Sequence, residues 1–233
     1  MAVAVDFVNN AGSANNTGQT FSMNLAAGAT LLIIGTGERV PPSATPTWNG
    51  SSTGVTQIAS ASISSGEARL YALANPTTGT HNVSVTNASG WNSPGAISFT
   101  GASTTITNSN NVTGASSSTT TGTCTSTVGS IVVDYSNNNQ GATLTATGTG
   151  QTRRWETHVA NGCAMSTTDG AATTTVTYTQ TGSNTFCMAL LSVDVAAATS
   201  NIKTFDGIAR ASIKTIDGTA IASVKTWDGI TNV

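Results

Sequence analysis

The chain has 233 residues, of which only 8% are Asp, Glu, Lys or Arg, against roughly 25% in ordinary globular domains. A net charge of −2 provides no basic footprint for nucleic acid and no reason to expect an anionic membrane surface as partner. Hydrophobic residues make up 38% of the chain. Because this content comes with almost balanced charge, it predicts a folded protein rather than a disordered one.

The first residues, Met1 to Asp6, lack a basic segment followed by an apolar run, so we expect no signal peptide. The longest apolar stretch, Leu31 to Ile34, is too short to span a bilayer. The sequence therefore predicts a protein made in the cytoplasm, with no membrane partner.

Residues 1–199 consist of short apolar or alternating segments separated by turns rich in Gly, Asn and Ser. Alternation with period two, typical of half-buried strands, occurs at Phe21/Met23/Leu25, Val83/Val85, Ile97/Phe99 and Val176/Tyr178. Continuous apolar runs, which fit central strands covered on both faces, occur at Leu31–Ile34, Ile131–Val133 and Met188–Leu191. No segment of useful length has apolar residues at the 3.6-residue spacing of a helix. About ten strands at this spacing predict an all-β fold, a two-sheet antiparallel sandwich of jelly-roll type.

Two features of this body leave alternatives open. The segment from Thr107 to Thr127 is almost wholly Asn, Ser, Thr and Gly, which fits either a linker or a Thr-rich strand with its polar face in solvent. We do not divide the domain there. Cys124, Cys163 and Cys187 are odd in number and widely spaced, so they are either all free thiols or include one disulfide.

Residues 200–233 contain three repeats with a period of 11. Each repeat has the pattern apolar-Lys-Thr-x-Asp-Gly, and the copies begin at Ile202, Ile213 and Val224. Asp-Gly between apolar residues is a strong signal for a two-residue hairpin turn. The repeats therefore form either a meander of strands or a small solenoid or prism, in which each repeat packs against copies from neighbouring subunits.

The apolar residues of the repeats cannot form a closed core in so short a segment. Left exposed, they would create an adhesive patch. We therefore expect an attachment or oligomerisation device and a homo-oligomer such as a trimer, with contacts through Ile202, Phe205, Ile213, Ile216, Val224 and Trp227.

Catalytic and metal-binding patterns are not recognisable in the sequence. Asp134 has the best strand position among the carboxylates, but bonding to turn amides is the simpler role for it. Ser-His-Asp catalysis lacks a nucleophile elbow, and His158, Cys163 and Cys187 match no zinc spacing. We expect no enzymatic activity, no cofactor and no metal.

Arg153, Arg154 and Trp155 stand together in a chain with few charges. The tryptophan could stack on a sugar face while the arginines bind its hydroxyls, or it could pack in the sandwich while the arginines pair with acids. Trp48 and Trp91 offer the same two readings. A carbohydrate-binding module that recognises host glycans is accordingly the alternative function.

The body resembles an uncharacterised β-sandwich domain that recurs in bacterial, phage and environmental sequences. The resemblance is carried by several short segments that occur in the same order as in that domain. They span Thr20 to Ala197 and are Trp48–Gly50, Val55–Ile58, Leu70–Leu73, Pro76–His81, Val83–Val85, Ser98–Gly101, Gly129–Asp134 and Gly150–Trp155. The repeats are similar to those common in phage virion proteins. The resemblance implies a structural protein exposed on the surface of a bacteriophage particle, either a capsid decoration, a fibre or a tail component. Its partners would be other virion proteins.

Overall fold

A computed structural model describes residues 2–15, 18–39, 44–86 and 90–197, together with residues 204–205, 208–209, 215–216, 219–220, 226–227 and 230–231. The chain divides into two compact units, Met1–Ala196 and Ala197–Val233. The described residues contain no helix with the length and apolar character that a membrane span requires.

The first half of the larger unit forms two antiparallel sheets. Its strands are β1 (Ala4–Asn10), β2 (Ala14–Asn15), β3 (Gly18–Leu25), β4 (Ala29–Glu38), β5 (Thr47–Trp48), β6 (Thr56–Ile63), β7 (Gly66–Ala74), β8 (Gly79–Thr86), β9 (Trp91–Asn92) and β10 (Gly95–Thr100). One sheet has three strands in the order β3-β8-β5. The other has seven, with the order β1-β10-β4-β7-β6 and the short strands β2 and β9 added to it.

The alternation of β3 directs one of its faces into a core. Phe21, Met23 and Leu25 are buried and pack with Leu32 and Ile34 of β4, between the three-stranded and seven-stranded sheets. The intervening residues of β3 are exposed. Burial of Leu31 to Ile34 without exception confirms the prediction that this run is a central strand covered on both faces.

The second half of the larger unit forms a six-stranded sheet. Its strands are β11 (Ser109–Thr125), β12 (Ile131–Asn138), β13 (Leu144–Ala146), β14 (Gln151–His158), β15 (Gly162–Asp169) and β16 (Thr173–Val193). Their order is β11-β16-β12-β15-β14, and β13 pairs with β16. The segment 107–127 is therefore mostly a strand, which is the second of the two alternatives left open above, and not a linker.

The two longest strands, β11 and β16, bend over so that this sheet packs on itself. They pair from Ser109↔Leu191 to Thr125↔Thr173, with register shifts between Gly114 and Thr119. Val176 and Leu190 belong to one buried cluster, although a straight strand at ~3.3 Å per residue would separate them by about 46 Å. Strands that change sheets at such bends form the corners of β-sandwiches.

Amide side chains hold this bend. Gln180 donates from Nε2 to the carbonyl oxygens of Ser117 (2.5 Å) and Asn184 (3.1 Å), and Asn184 donates to the carbonyl of Thr181 (3.0 Å). These bonds tie the backbone of β11 to that of β16 beside the register shifts.

The predicted all-β antiparallel sandwich is confirmed, and it is more elaborate than two sheets. Three sheets enclose three cores: one between the three- and seven-stranded sheets, one between the seven- and six-stranded sheets, and one inside the bent six-stranded sheet. Within the described residues every regular element is a strand.

Two aromatic rings join the halves of the larger unit. Tyr135 of β12 and Trp155 of β14 pack edge to face, with ring centroids 5.6 Å apart. They lie against Gly35, Gly37 and Gly95, where any Cβ atom would come closer than 3.0 Å to one of the rings. The Tyr135 hydroxyl donates to the carbonyl of Ser93 at 2.7 Å. Glycine is therefore required at these positions by the space that the rings fill.

The described residues of the smaller unit form three equivalent two-stranded ladders. They are β17 (Thr204–Phe205) with β18 (Ile208–Ala209), β19 (Thr215–Ile216) with β20 (Thr219–Ala220), and β21 (Thr226–Trp227) with β22 (Ile230–Thr231). Phe205 pairs with Ile208, Ile216 with Thr219 and Trp227 with Ile230. The other predicted contact residues, Ile202, Ile213 and Val224, lie outside the described residues. In each ladder two residues of the sequence separate the paired strands, which is the spacing that the Asp-Gly signal predicts.

We expect Gly35→Ala to lower the free energy of unfolding by about 1–3 kcal/mol, the usual cost of overpacking a core. The added methyl would overlap the ring of Tyr135, which is buried and held by its hydroxyl. Gly28→Ala is the matched control, because its Cβ would meet only Thr100 Cγ2 at 3.7 Å. Urea unfolding measures both variants. Equal stability of Gly35→Ala and Gly28→Ala would contradict this packing.

Candidate functional site

Threonines form the outer face of the bent sheet. In β11, Thr119, Thr121, Thr123 and Thr125 are exposed, while Thr120, Gly122 and Cys124 point inward. The same alternation in β16 turns Val176 and Tyr178 into the core. We call the outward set the threonine face; its members are Thr119, Thr121, Thr123, Thr125, Thr143, Thr145, Thr147, Thr173, Thr175, Thr177 and Thr179.

The strand register places these threonines in three parallel ranks. Those of β11 and β16 face one another directly as Thr119↔Thr179, Thr121↔Thr177, Thr123↔Thr175 and Thr125↔Thr173. The third rank continues from Thr145↔Thr179 to Thr147, which donates its amide to the carbonyl of Thr177 at 2.9 Å. Neighbouring ranks are about 4.7–4.9 Å apart, and successive threonines in a rank about 6.6–6.8 Å.

The chemistry of the threonine face is uniform. Each residue presents one hydroxyl and one methyl group on a β-branched side chain with few rotamers, and no member is charged. Next to the face, a depression of about 660 Å³ is lined by Thr173, Thr175 and Thr177 and by residues 147–150. Asp169 is the one charged residue in its lining. Such a surface suits a neutral partner with hydrogen-bonding groups.

A buried carboxylate supports the threonine face from below. Asp134 of β12 is fully buried and accepts hydrogen bonds from the hydroxyls of Tyr178 (2.8 Å), Ser166 and Ser136 (3.4 Å). Burial raises the pKa of Asp134 to about 6, against the effect of these donors. The sequence reading expected turn amides as its partners. That was wrong, because the bend of β16 brings Tyr178 over β12.

Gln151 extends this network to the surface. Its Nε2 donates to Ser166 Oγ at 2.9 Å, and its Oε1 accepts the amides of Gly148 (2.9 Å) and Thr177 (3.1 Å). The chain of bonds from Asp134 to Thr177 therefore fixes the middle rank of the threonine face against the strands beneath it.

The other acidic side chains are scattered. Glu67 pairs with Arg69 at 2.8 Å, Glu156 lies 3.2 Å from His158, and Asp194 accepts hydrogen bonds from Ser192 (2.7 Å) and Thr107 (2.9 Å). Within the described residues, no three His, Cys, Asp or Glu side chains are grouped as a metal site would need.

The tryptophans and arginines of the carbohydrate hypothesis are not brought together. Trp48 is 4% exposed in the core beneath the three-stranded sheet, and Trp155 is 7% exposed in the core between the larger sheets. Trp91 is half-buried. Arg153 donates to the carbonyl of Leu144 at 2.6 Å and Arg154 to the hydroxyl of Thr167 at 2.7 Å. Of the two roles considered for Trp155, the structure shows the one in which it packs inside the sandwich.

The three cysteines are free and buried. Cys163 and Cys187 lie on the two strands that flank Asn137, each paired with it in register, so a full strand separates them. Burial raises the pKa of the Cys124 and Cys163 thiols to about 11 and also raises that of Cys187.

Comparison with known proteins gives no matching family model, no matching curated protein and no matching solved structure. The resemblance of the body and of the repeats to phage proteins therefore stays a prediction.

Sequence reasoning did not single out the threonine face. The signal was present in the Thr-x-Thr alternation of residues 119–125 and 173–179. Alternation alone shows that the threonines of one strand share a face. It does not show which strands are neighbours, so the ranks could not be assembled from it.

We expect Asp134→Asn to remove a pH dependence of stability. In the wild type, the folded pKa of Asp134 of about 6 lies above the ordinary aspartate value of 3.8, so between these pH values the folded state binds more protons than the unfolded state. Stability should therefore fall as pH rises through this window, by on the order of 3 kcal/mol. Urea unfolding from pH 3.5 to pH 7 checks this.

Asp169→Asn, which changes an exposed carboxylate, is the control and should keep the wild-type profile. A wild-type curve parallel to that of Asp134→Asn would show that burial does not hold the proton on Asp134.

The thiols should be unreactive in the folded protein. Burial removes them from reagent, and their raised pKa values leave almost no thiolate at neutral pH. Titration with Ellman's reagent should give no fast reaction for the native protein and three thiols in denaturant. Fewer than three in denaturant would mean that a disulfide forms.

Proposed function

We propose that the chain is a structural protein of a bacteriophage particle, exposed on the virion surface and acting through protein–protein contacts. The observation that carries the proposal is the repeated ladder of residues 200–233. Three copies have the same register with strands of two residues each. An isolated two-stranded hairpin is marginal in water at best, so three such hairpins in succession fit a segment that becomes stable on a partner.

The surface chemistry of the larger unit supports the same role. The threonine face has no charge, and the whole chain has only 8% charged residues. Identical copies can pack densely with such surfaces, because like charges do not meet across the interfaces. A capsid decoration, a fibre or a tail component would each use contacts of this kind.

The carbohydrate-binding alternative is not part of the proposal. It depended on tryptophans available to stack on sugar rings, and both Trp48 and Trp155 pack inside cores. The proposal therefore rests on protein partners.

A particle inventory tests the proposed function. Particles are purified by density gradient from a culture that produces the protein, heads and tails are separated, and the peptides of this chain are quantified by mass spectrometry. A structural protein should copurify at a fixed ratio to one of the two fractions. Peptides that remain in the soluble lysate while the particles contain none would refute the proposal.

Deleting residues 201–233 should leave a folded larger unit that no longer joins particles. Burying each large apolar side chain of the repeats would contribute about 1.5–3 kcal/mol at the partner surface, and the deletion removes all of them. Circular dichroism checks the fold, and the same inventory measures incorporation. Normal copy number of the truncated protein would show that the repeats are not the anchor.

A further inference from the structure

The strand β11 forms an unprotected edge of the six-stranded sheet. It pairs with β16 on one side, and among the described strands none pairs with its other side. Its 17 residues include no charged residue and no proline. Proteins usually protect edge strands with charges, prolines or bulges, because an open edge pairs with other chains.

The edges formed by β14, β1 and β3 carry such protection. β14 has Arg153, Arg154 and Glu156 and a register shift between Arg153 and Trp155. β1 has Asp6 and a register shift beside it. The edge of β3 is covered by Asn9, which donates to the carbonyl of Ser22 at 2.6 Å. The uncharged edge strand β6 has a register shift between Gln57 and Ala59. In β11 the register shifts lie between Gly114 and Thr119, so its last residues, Thr119 to Thr125, have neither a charge nor a proline nor a register shift.

The backbone groups of Thr121 point out of the sheet. Thr177, its partner in register, donates its amide to Gln151 Oε1 at 3.1 Å and accepts the amide of Thr147 at 2.9 Å. The backbone groups of Thr177 are therefore used on the side away from β11. In an antiparallel pair of this kind both residues point away from each other, so Thr121 directs its N–H and C=O to the open edge. Alternation gives Thr123 and Thr125 the same direction.

Side chains occupy some of the backbone groups along this edge. The Ser117 hydroxyl accepts the amide of Thr119 (3.1 Å) and donates to the carbonyl of Thr119 (2.7 Å). Asn110 Nδ2 donates to the carbonyl of Thr123 at 2.8 Å, which leaves that oxygen a second lone pair. The Cys124 thiol donates to the carbonyl of Thr125 at 3.5 Å. The stretch whose outward backbone groups can still pair is therefore Thr121 to Thr125, with the carbonyls of Thr123 and Thr125 each accepting one bond already.

We propose that this stretch pairs with the same stretch of a second copy of the chain, antiparallel and about a two-fold axis beside Thr123. Thr121 then faces Thr125 of the other copy, and Thr123 faces Thr123. The stretch is self-complementary, since Thr121, Thr123 and Thr125 each direct one N–H and one C=O to the edge and no charge opposes the approach. The carbonyls of Thr123 and Thr125 would accept through their second lone pair. Threonine pairs across strands are favourable. The threonine face would double from three ranks to six.

This pairing deepens the structural role proposed above and rests on it, because it supplies the contact between identical copies. Sedimentation velocity of the full-length chain over a wide concentration range should show a monomer–dimer equilibrium. Hydrogen exchange should slow at the amides of Thr121, Thr123 and Thr125 as the dimer forms, while the amide of Thr119 stays as it is in the monomer.

Thr123→Lys tests the edge against a matched control. It places two lysines opposite each other at the axis and should weaken dimerisation about tenfold or more. Thr175→Lys adds the same charge to the same face on the directly paired residue, but in β16, away from the edge, and should dimerise like the wild type. Thr121→Pro removes an outward N–H that β16 does not use, and should also abolish the dimer. Circular dichroism confirms that each variant is folded.

Three outcomes would overturn the proposal: a wild-type chain that stays monomeric, a dimer that Thr123→Lys and Thr121→Pro leave intact, or equal loss with Thr175→Lys, which would point to the face rather than the edge. None of them would affect the particle inventory, so the structural role is decided separately.

Discussion

The larger unit depends on the packing of the Tyr135 ring against the bare backbone of two glycines. Gly35 and Gly37 of β4 lie under the ring, and the Tyr135 hydroxyl reaches the carbonyl of Ser93 beyond them. The contact joins the sheet of residues 4–100 to the sheet of residues 109–193, and Met165 and Cys163 pack in the same core. Side chains larger than glycine at these positions would keep the two sheets apart. The core between the seven-stranded and six-stranded sheets therefore depends on the absence of Cβ atoms at Gly35 and Gly37.

Scarcity of charge shapes the interior as well as the surface. Asp134 is held by three hydroxyl groups rather than by a cation. Asn137 and Asn161 bond to each other (3.0 Å), and they also bond to the carbonyls of Glu67 in β7 (2.9 Å) and of Ser65 in the turn before it (3.2 Å). Neutral hydroxyl and amide groups do not bring the large desolvation cost of buried ion pairs. They also fix strand positions, because each bond has a required geometry.

The same chemistry controls which edges are open. In place of lysine or proline, Ser117 and Asn110 occupy backbone groups along part of β11. A hydroxyl or amide protects only the groups that it bonds, whereas a charge repels over several ångströms. Protection of β11 is therefore local, and it leaves a short, defined stretch of edge rather than a fully closed strand.

The sequence by itself determined the strands and turns, since these follow from neighbours in the chain. Alternation placed Phe21, Met23 and Leu25 on one face, and Asn49-Gly50 closes the hairpin in which Trp48 and Ser51 exchange backbone bonds of 2.8 and 3.0 Å. Only the tertiary structure decided the bend of β11 and β16, the burial of Trp155 and the ranks of the threonine face. Each of these depends on contacts between residues far apart in sequence, such as Asp134 with Tyr178, and a local pattern holds no information about which distant strand will be its neighbour.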